Sequence, residues 1–192
     1  MTRLSWVRHG PTHAKTMVGW SDLPADLSDT AAIARLSAYL PQDALIVSSD
    51  LVRAVATADA LQGPRQRLPH DPALRELNFG AWELRSHARI EAETPDHIRA
   101  FWDSPGDIAP PEGESWNNLA MRLHRATDAL LATHPGRDIV IVAHFGPILA
   151  ALQRAAGLHT EQAFAHRIEP LSVTETRFGP DGWRVGRINH QP

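Results

Sequence analysis

Three mostly apolar stretches of this chain each stop abruptly at polar or basic residues, and this pattern restricts the possible folds. Each stretch has the length and character of a buried strand. Arg8 and His9 follow the first, Arg53 comes a few residues after the second, and His144 follows the third. In a parallel sheet the carboxyl ends of the strands lie along one edge, so we expect these four side chains to converge. The stretches are Leu4–Val7, Ala44–Val47 and Asp138–Ala143.

The segments between these strands have helical periodicity, which predicts an α/β fold with a mostly parallel central sheet. Ser28 is expected to cap the first helix and Ser115 the longest one. Because no repeat, low-complexity tract or linker is present, residues 1–192 are expected to form a single domain. The expected helices are Asp29–Leu40, Leu51 to about Leu61, two short ones between Glu83 and Asp103, one from Ser115 to about His134, and one after His144; the expected further strands are Arg65–Pro69 and a hairpin of Ser172–Arg177 with Trp183–Arg187.

The composition narrows the classes of function. A net charge of -3 provides no general positive field for nucleic acid. The absence of cysteine excludes disulfides, thiol catalysis and thiolate metal sites. The N-terminal region lacks the apolar core of a signal peptide, and no apolar run approaches the length of a membrane span. A cytoplasmic protein without a membrane partner is therefore expected.

The residues expected at the sheet edge have the chemistry of a phosphate site. Arg8 and Arg53 each carry a planar fork of donors that matches phosphate oxygens. Arg53 is also expected in the first turn of a helix, where the free backbone N–H groups favour anions. A histidine such as His9 can act as a neutral nucleophile near pH 7. The sequence therefore indicates an enzyme that acts on a phosphoryl group.

Five short motifs extend this indication to a family. They are Val7–Thr12, Ser48–Ala54, Leu74–Glu83, Gly113–Ser115 and Val142–His144. In this order they resemble the histidine phosphatase superfamily, in the branch of cofactor-dependent phosphoglycerate mutases and their small phosphatase relatives. The resemblance implies a phosphoglycerate mutase-like fold, which is a three-layer αβα sandwich.

The resemblance also implies a mechanism without a metal or cofactor. His9 would attack phosphorus and form a phosphohistidine, while Arg8, Arg53 and His144 would hold the phosphoryl oxygens. Glu76 matches the general acid of the family. Apolar neighbours would raise its pKa and the arginines would lower it, so the balance is left open. Glu83, Glu112 and Glu114 also lie in loops that could reach the pocket, and they are the alternatives to Glu76.

A second set of residues is expected to contact the substrate. Thr12 would add a hydroxyl donor to the phosphate cradle. Lys15 stands where relatives usually have an asparagine that touches the phosphate, and either a phosphate contact or a solvated position suits it. The remaining candidates are Gly10, Trp82, as core or pocket wall, and Glu114. Phe145 stands where relatives commonly have a glycine, and its ring adds bulk beside the pocket.

Hydrolysis of a small phosphorylated metabolite is the favoured function, because water can reach the phosphohistidine of so compact a chain. Two alternatives remain: phosphoryl transfer of the phosphoglycerate mutase type, and a non-catalytic phosphate-binding regulatory module. A metal site of His9, His13 and His144 is poorly supported by their spacing. The C-terminal hairpin or an exposed sheet edge leaves a homodimer open.

Overall fold

In the computed structural model, which describes residues 1–192, six strands form one central sheet. The strands are β1 (Thr2–Arg8), β2 (Leu45–Ser48), β3 (Gln66–Arg67), β4 (Ile139–Ala143), β5 (Val173–Gly179) and β6 (Gly182–Val185). Their order is β3-β2-β4-β1-β5-β6, in which the first four strands are parallel and the last two are antiparallel to their neighbours. The carboxyl ends of β1, β2 and β4 therefore lie next to one another.

Seven helices cover the two faces of the sheet. They are α1 (Thr30–Tyr39), α2 (Val52–Leu61), α3 (His87–Glu93), α4 (Pro95–Asp103), α5 (Trp116–Thr133), α6 (Phe145–Ala156) and α7 (Thr160–Phe164), with short 3-10 turns at Pro72–Leu74 and Gly80–Trp82. The apolar sides of α1 and α2 pack on one face, and those of α3 to α6 pack on the other. The predicted three-layer αβα sandwich is confirmed. None of the helices combines the length and apolar character needed to cross a bilayer.

The alternation of side chains along the inner strands creates the two halves of the core. On β1, Leu4 and Trp6 face the layer of α5 and α6, whereas Val7 faces α1 and α2. On β4, Ile141 and Val142 divide in the same way, and every residue of this strand is buried. A strand that is covered on both faces has to be apolar throughout, which explains why β4 is apolar at every position.

Two local expectations need correction. The cap of α1 is Asp29 rather than Ser28, because the Asp29 carboxylate accepts a hydrogen bond from the backbone N–H of Ala32. The third strand is shorter than expected, since Arg65 is buried and donates to the carbonyls of Ser37 and Leu40 at the end of α1. A cation at this position satisfies carbonyls that the helix leaves unpaired.

Candidate active site

The sheet edge brings the predicted catalytic residues together. Arg8, His9, Arg53 and Glu76 all line one cleft of about 260 Å³. Arg8 pairs with Ala143 in the β1–β4 register, and the backbone N–H of His9 donates to the carbonyl of Ala143. His9 and the residue after Ala143, His144, therefore follow neighbouring strands at the same level. Their ring centroids lie 5.0 Å apart.

Hydrogen bonds determine which nitrogen of His9 is free to react. Nδ1 lies 2.6 Å from the carbonyl oxygen of Gly10, which can only accept, so Nδ1 carries the proton. Nε2 keeps its lone pair, and Nε of Arg53 donates to it at 3.3 Å. Burial, together with the nearby charges of Arg53 and Arg8, lowers the pKa of His9 to about 3. His9 is therefore a neutral imidazole near neutral pH, and its unprotonated Nε2 accepts the hydrogen bond from Arg53.

The guanidinium of Arg53 is held from three sides. As predicted, Arg53 lies in the first turn of α2, and it is almost completely buried. Besides contacting His9, it donates from Nη1 to the carbonyl of Ser21 at 2.9 Å and from Nη2 to the carbonyl of Gly19 at 2.6 Å. The loop of Gly19–Ser21 thus determines where the charge of Arg53 stands relative to His9.

Glu83 organises that loop, a role that the sequence did not reveal. Its carboxylate accepts five hydrogen bonds, at 2.7 to 3.2 Å, from one hydroxyl and four backbone N–H groups. The donors are the N–H groups of Gly19, Trp20, Ser21 and Phe79 and the hydroxyl of Ser21. Because the same loop holds Arg53, Glu83 positions the guanidinium without itself lining the cleft.

We expect Glu83→Gln to lower kcat/KM for phosphomonoesters about 10- to 100-fold, since hydrogen bonds to a charged group contribute about 1.5–3 kcal/mol. The amide cannot replace the carboxylate, because its NH₂ group would face N–H donors. Steady-state kinetics and a thermal melt would measure the effect. The control is Glu112→Gln, at an exposed glutamate, which should leave both unchanged. If Glu83→Gln showed the same kcat/KM as the wild type, Glu83 would not be a positioning residue for Arg53.

Glu76 is buried, and burial outweighs the charges around it. Its Oε1 accepts hydrogen bonds from the backbone N–H of Leu77 at 2.9 Å and of Gly146 at 3.0 Å. Those bonds and the charges of Arg53 and Arg8 favour ionisation, but the loss of solvation is larger and raises the pKa of Glu76. The sequence left open whether apolar neighbours or arginines dominate the pKa of Glu76. Burial dominates, so this carboxyl keeps its proton to higher pH than an ordinary glutamate.

The backbone of Glu76 is also anchored. Its carbonyl accepts hydrogen bonds from Nε1 of Trp20 and from Nη2 of Arg122, both at 2.8 Å. Arg122 in turn forms a two-pronged ion pair with Glu114, at 2.7 and 2.8 Å. Glu114, a candidate for contact with the substrate, is instead connected to Glu76 through Arg122 and does not line the cleft.

Two buried nitrogens beside the cleft have no hydrogen-bond partner. One is Nε of Arg8, whose Nη1 donates to the carbonyl of Ile168 at 2.6 Å. The other is Nδ1 of His144, whose Nε2 lies 2.7 Å from the hydroxyl of Ser49. Burial and the neighbouring His9 and arginines lower the pKa of His144 well below its ordinary value, so this ring is neutral. Unpaired buried polar atoms are costly, and a phosphoryl oxygen is a group that would satisfy them.

The other predicted substrate contacts fall into two groups. Thr12 lines the cleft, and Gly10 contributes the carbonyl that orients His9. Lys15 is exposed and is absent from the cleft lining. Trp82 is buried and packs against Phe101, with ring centroids 5.4 Å apart, so it belongs to the core rather than to the cleft. No group of three or more His, Asp or Glu side chains is arranged to hold a metal ion.

Comparison with known proteins places this geometry in a family. The family model described as histidine phosphatase superfamily (branch 1) matches residues 4–191. The glucosyl-3-phosphoglycerate phosphatase of Mycobacterium tuberculosis is 37% identical over 168 residues, which cover 80% of this chain and 74% of that protein. Other curated relatives are 28% identical over 204 residues, and the chain spans about half (54%) of their length.

Solved structures agree with the family model. Bacillus stearothermophilus YhfR superposes with a TM-score of 0.89 at 26% identity, covering 98% of this chain and 97% of that one. The alpha-ribazole phosphatase from Shigella flexneri gives a TM-score of 0.86 at 25% identity, covering 98% and 96%. The fold, the five motifs and the nearly complete family match lead to one conclusion. This chain belongs to branch 1 of the histidine phosphatase superfamily.

Proposed function

We propose that this protein is a phosphomonoesterase that hydrolyses a small phosphorylated metabolite through a phosphohistidine on His9. The observation that carries the proposal is the state of His9, whose Nδ1 proton is bound by the carbonyl of Gly10 while Nε2 is unprotonated. Relatives named as phosphatases of glucosyl-3-phosphoglycerate and of alpha-ribazole support the substrate class.

In the first step, Nε2 of His9 attacks phosphorus in line and the bond from phosphorus to the leaving oxygen breaks. Glu76 gives its proton to that oxygen, which leaves as an alcohol. The raised pKa of Glu76 suits this role, because the carboxyl has to be protonated before the attack.

In the second step, water attacks the phosphohistidine while the Glu76 carboxylate takes its proton. The bond from phosphorus to Nε2 breaks, phosphate leaves, and His9 and protonated Glu76 are restored. Arg8, Arg53 and His144 hold the phosphoryl oxygens in both steps, with the unpaired nitrogens of Arg8 and His144 available as partners. We propose that no metal is needed, because the two guanidinium groups supply the positive charge that a metal ion otherwise provides.

Trapping the intermediate tests this proposal. Wild-type protein is mixed with a ³²P-labelled phosphomonoester in EDTA and quenched within milliseconds. We expect a labelled protein whose phosphate is stable to alkali and labile to acid, with the label on the peptide that contains His9, followed by release of inorganic phosphate.

Other results would contradict it. Phosphate release without a labelled histidine would indicate direct attack by water. A labelled histidine whose phosphate returns to another hydroxyl of a phosphoglycerate would indicate a mutase. Binding of phosphate esters without turnover would indicate a regulatory module.

A further inference from the structure

A second, apolar pocket opens beside the cleft. It has a volume of about 60 Å³, and six of its ten lining residues are aromatic. Four residues line both the cleft and this pocket: Glu76, Phe79, Trp102 and Phe145. The apolar pocket is therefore a continuation of the cleft, and the candidate proton donor stands where the two meet.

The geometry of the proposed reaction brings the leaving group to the border of the apolar pocket. In an in-line displacement the leaving oxygen stands opposite Nε2 of His9. That oxygen has to be within hydrogen-bond reach of Glu76 to receive its proton. Glu76 lines both the cleft and the apolar pocket, so the carbon attached to this oxygen stands at the border of the two cavities.

The pocket offers little to a leaving group rich in hydroxyls. Glu76 is its only ionisable side chain, and Oε1 of that carboxyl already accepts from two backbone N–H groups. The indole N–H of Trp116 donates to Oε1 of Gln153 at 2.9 Å and is used. Sugar or polyol hydroxyls placed among these rings would exchange water for apolar surface, which is unfavourable.

We propose that the apolar pocket is the subsite for the leaving group, and that the enzyme prefers phosphomonoesters whose alcohol carries an apolar, planar group. This inference rests on the proposed hydrolysis at His9, and it adds the class of alcohol. Trp102 and Phe79 would contact the planar group, since both rings line the shared border of the two cavities, with their planes inclined at 46° to each other. Phe145 forms the adjoining wall, and the guanidinium of Arg8 lies 5.5 Å from the centroid of its ring.

Two alkyl esters of similar leaving-group acidity provide the test. We expect kcat/KM for benzyl phosphate to exceed that for glycerol 2-phosphate at least about tenfold, which is the discrimination of an apolar pocket against a group that does not fill it. Trp102→Ala should reduce this ratio about fivefold or more, because Trp102 forms the border of the subsite. Trp102 is 37% exposed and also packs edge-to-face against Phe101, with ring centroids 4.9 Å apart, so a thermal melt of the variant accompanies the kinetics.

A matched control and a second variant make the result decisive. Phe178→Ala removes an aromatic side chain of similar exposure, 39%, on β5 and should leave the ratio unchanged. Phe164→Leu alters the pocket from α7, away from the phosphate cradle, and should also lower the ratio.

A ratio near one in the wild type would overturn the subsite while leaving the phosphatase intact. A high ratio that neither Trp102→Ala nor Phe164→Leu changes would place the specificity elsewhere. No phosphate release from either ester would contradict the proposed function itself.

Discussion

Replacing His9 with alanine is expected to lower kcat for phosphomonoester hydrolysis by at least about 10⁴-fold, because loss of an attacking nucleophile removes the covalent route entirely. The loss should be of similar size for activated and unactivated esters, since both require attack on phosphorus. Phosphate release under saturating substrate measures the rate, and acid-labile labelling of the protein should disappear in the same variant.

The control for this variant is His13→Asn. His13 lies in the loop that follows His9, its side chain is 68% exposed, and it pairs with Asp26. Its φ is 57°, a region that asparagine tolerates better than alanine, so the replacement removes an imidazole without adding strain. Circular dichroism would show that both variants fold. Full activity in His9→Ala would exclude the phosphohistidine on His9 and direct attention to His144.

Glu76→Gln is expected to have the second largest effect, and the effect should depend on the leaving group. General acid catalysis contributes about 10²- to 10⁴-fold, so kcat for an alkyl phosphate should fall within that range. The leaving group of an aryl ester such as p-nitrophenyl phosphate departs as a stable anion without a proton. For this ester kcat should therefore fall less than about tenfold. Parallel kinetics on the two esters measure the difference. Equal losses on both would assign the acid to another residue.

The pH profile gives an independent check on Glu76. Its acid form is the active one in the first step, and burial raises its pKa, so activity on alkyl esters should fall as the pH rises through that raised pKa. This decline should be absent in Glu76→Gln. Because the pKa of His9 is lowered to about 3, protonation of the nucleophile should limit the rate only as the pH falls towards that value.

Gly146→Ala should reproduce part of the Glu76 defect without changing the carboxyl. A Cβ at Gly146 would clash with Oε1 of Glu76 and would lie 3.1 Å from Leu119, so the carboxyl has to move. We expect a selective loss on alkyl esters. Gly106→Ala is the control, because its Cβ would have no heavy atom nearer than 3.8 Å.

The sequence predicted the parts of the fold that follow from periodicity. The apolar runs of β1, β2 and β4 and the polar residues after them indicated the sheet edge, and Arg8, His9 and Arg53 do line one cleft there. The capping position of Ser115 was also confirmed, since its side chain accepts from the N–H of Asn118. These features depend on neighbouring residues in the chain, so local chemistry is enough to find them.

The contributions of the glutamates could not be separated in the same way. Glu76, Glu83 and Glu114 all occur in polar loops, and nothing in their immediate sequence shows what they contact. Glu76 lines the cleft, and Glu114 pairs with Arg122 on α5. The Glu83 carboxylate accepts hydrogen bonds from backbone N–H groups of the loop Gly19–Ser21. Those partners are distant in sequence, so their arrangement exists only after the chain has folded. The apolar pocket was missed for the same reason, because its walls come from separate helices and loops.

The position of β1 in the sheet has a consequence for how the protein is made. His9, the proposed nucleophile, directly follows β1, and this strand pairs only with β4, at residues 139–143, and β5, at residues 173–179. Pairings between such distant parts of a chain form slowly, and an apolar strand without partners is prone to aggregate. During translation β1 therefore has no sheet neighbour until β4 and β5 have been synthesised, and the cleft beside His9 can form only after that point.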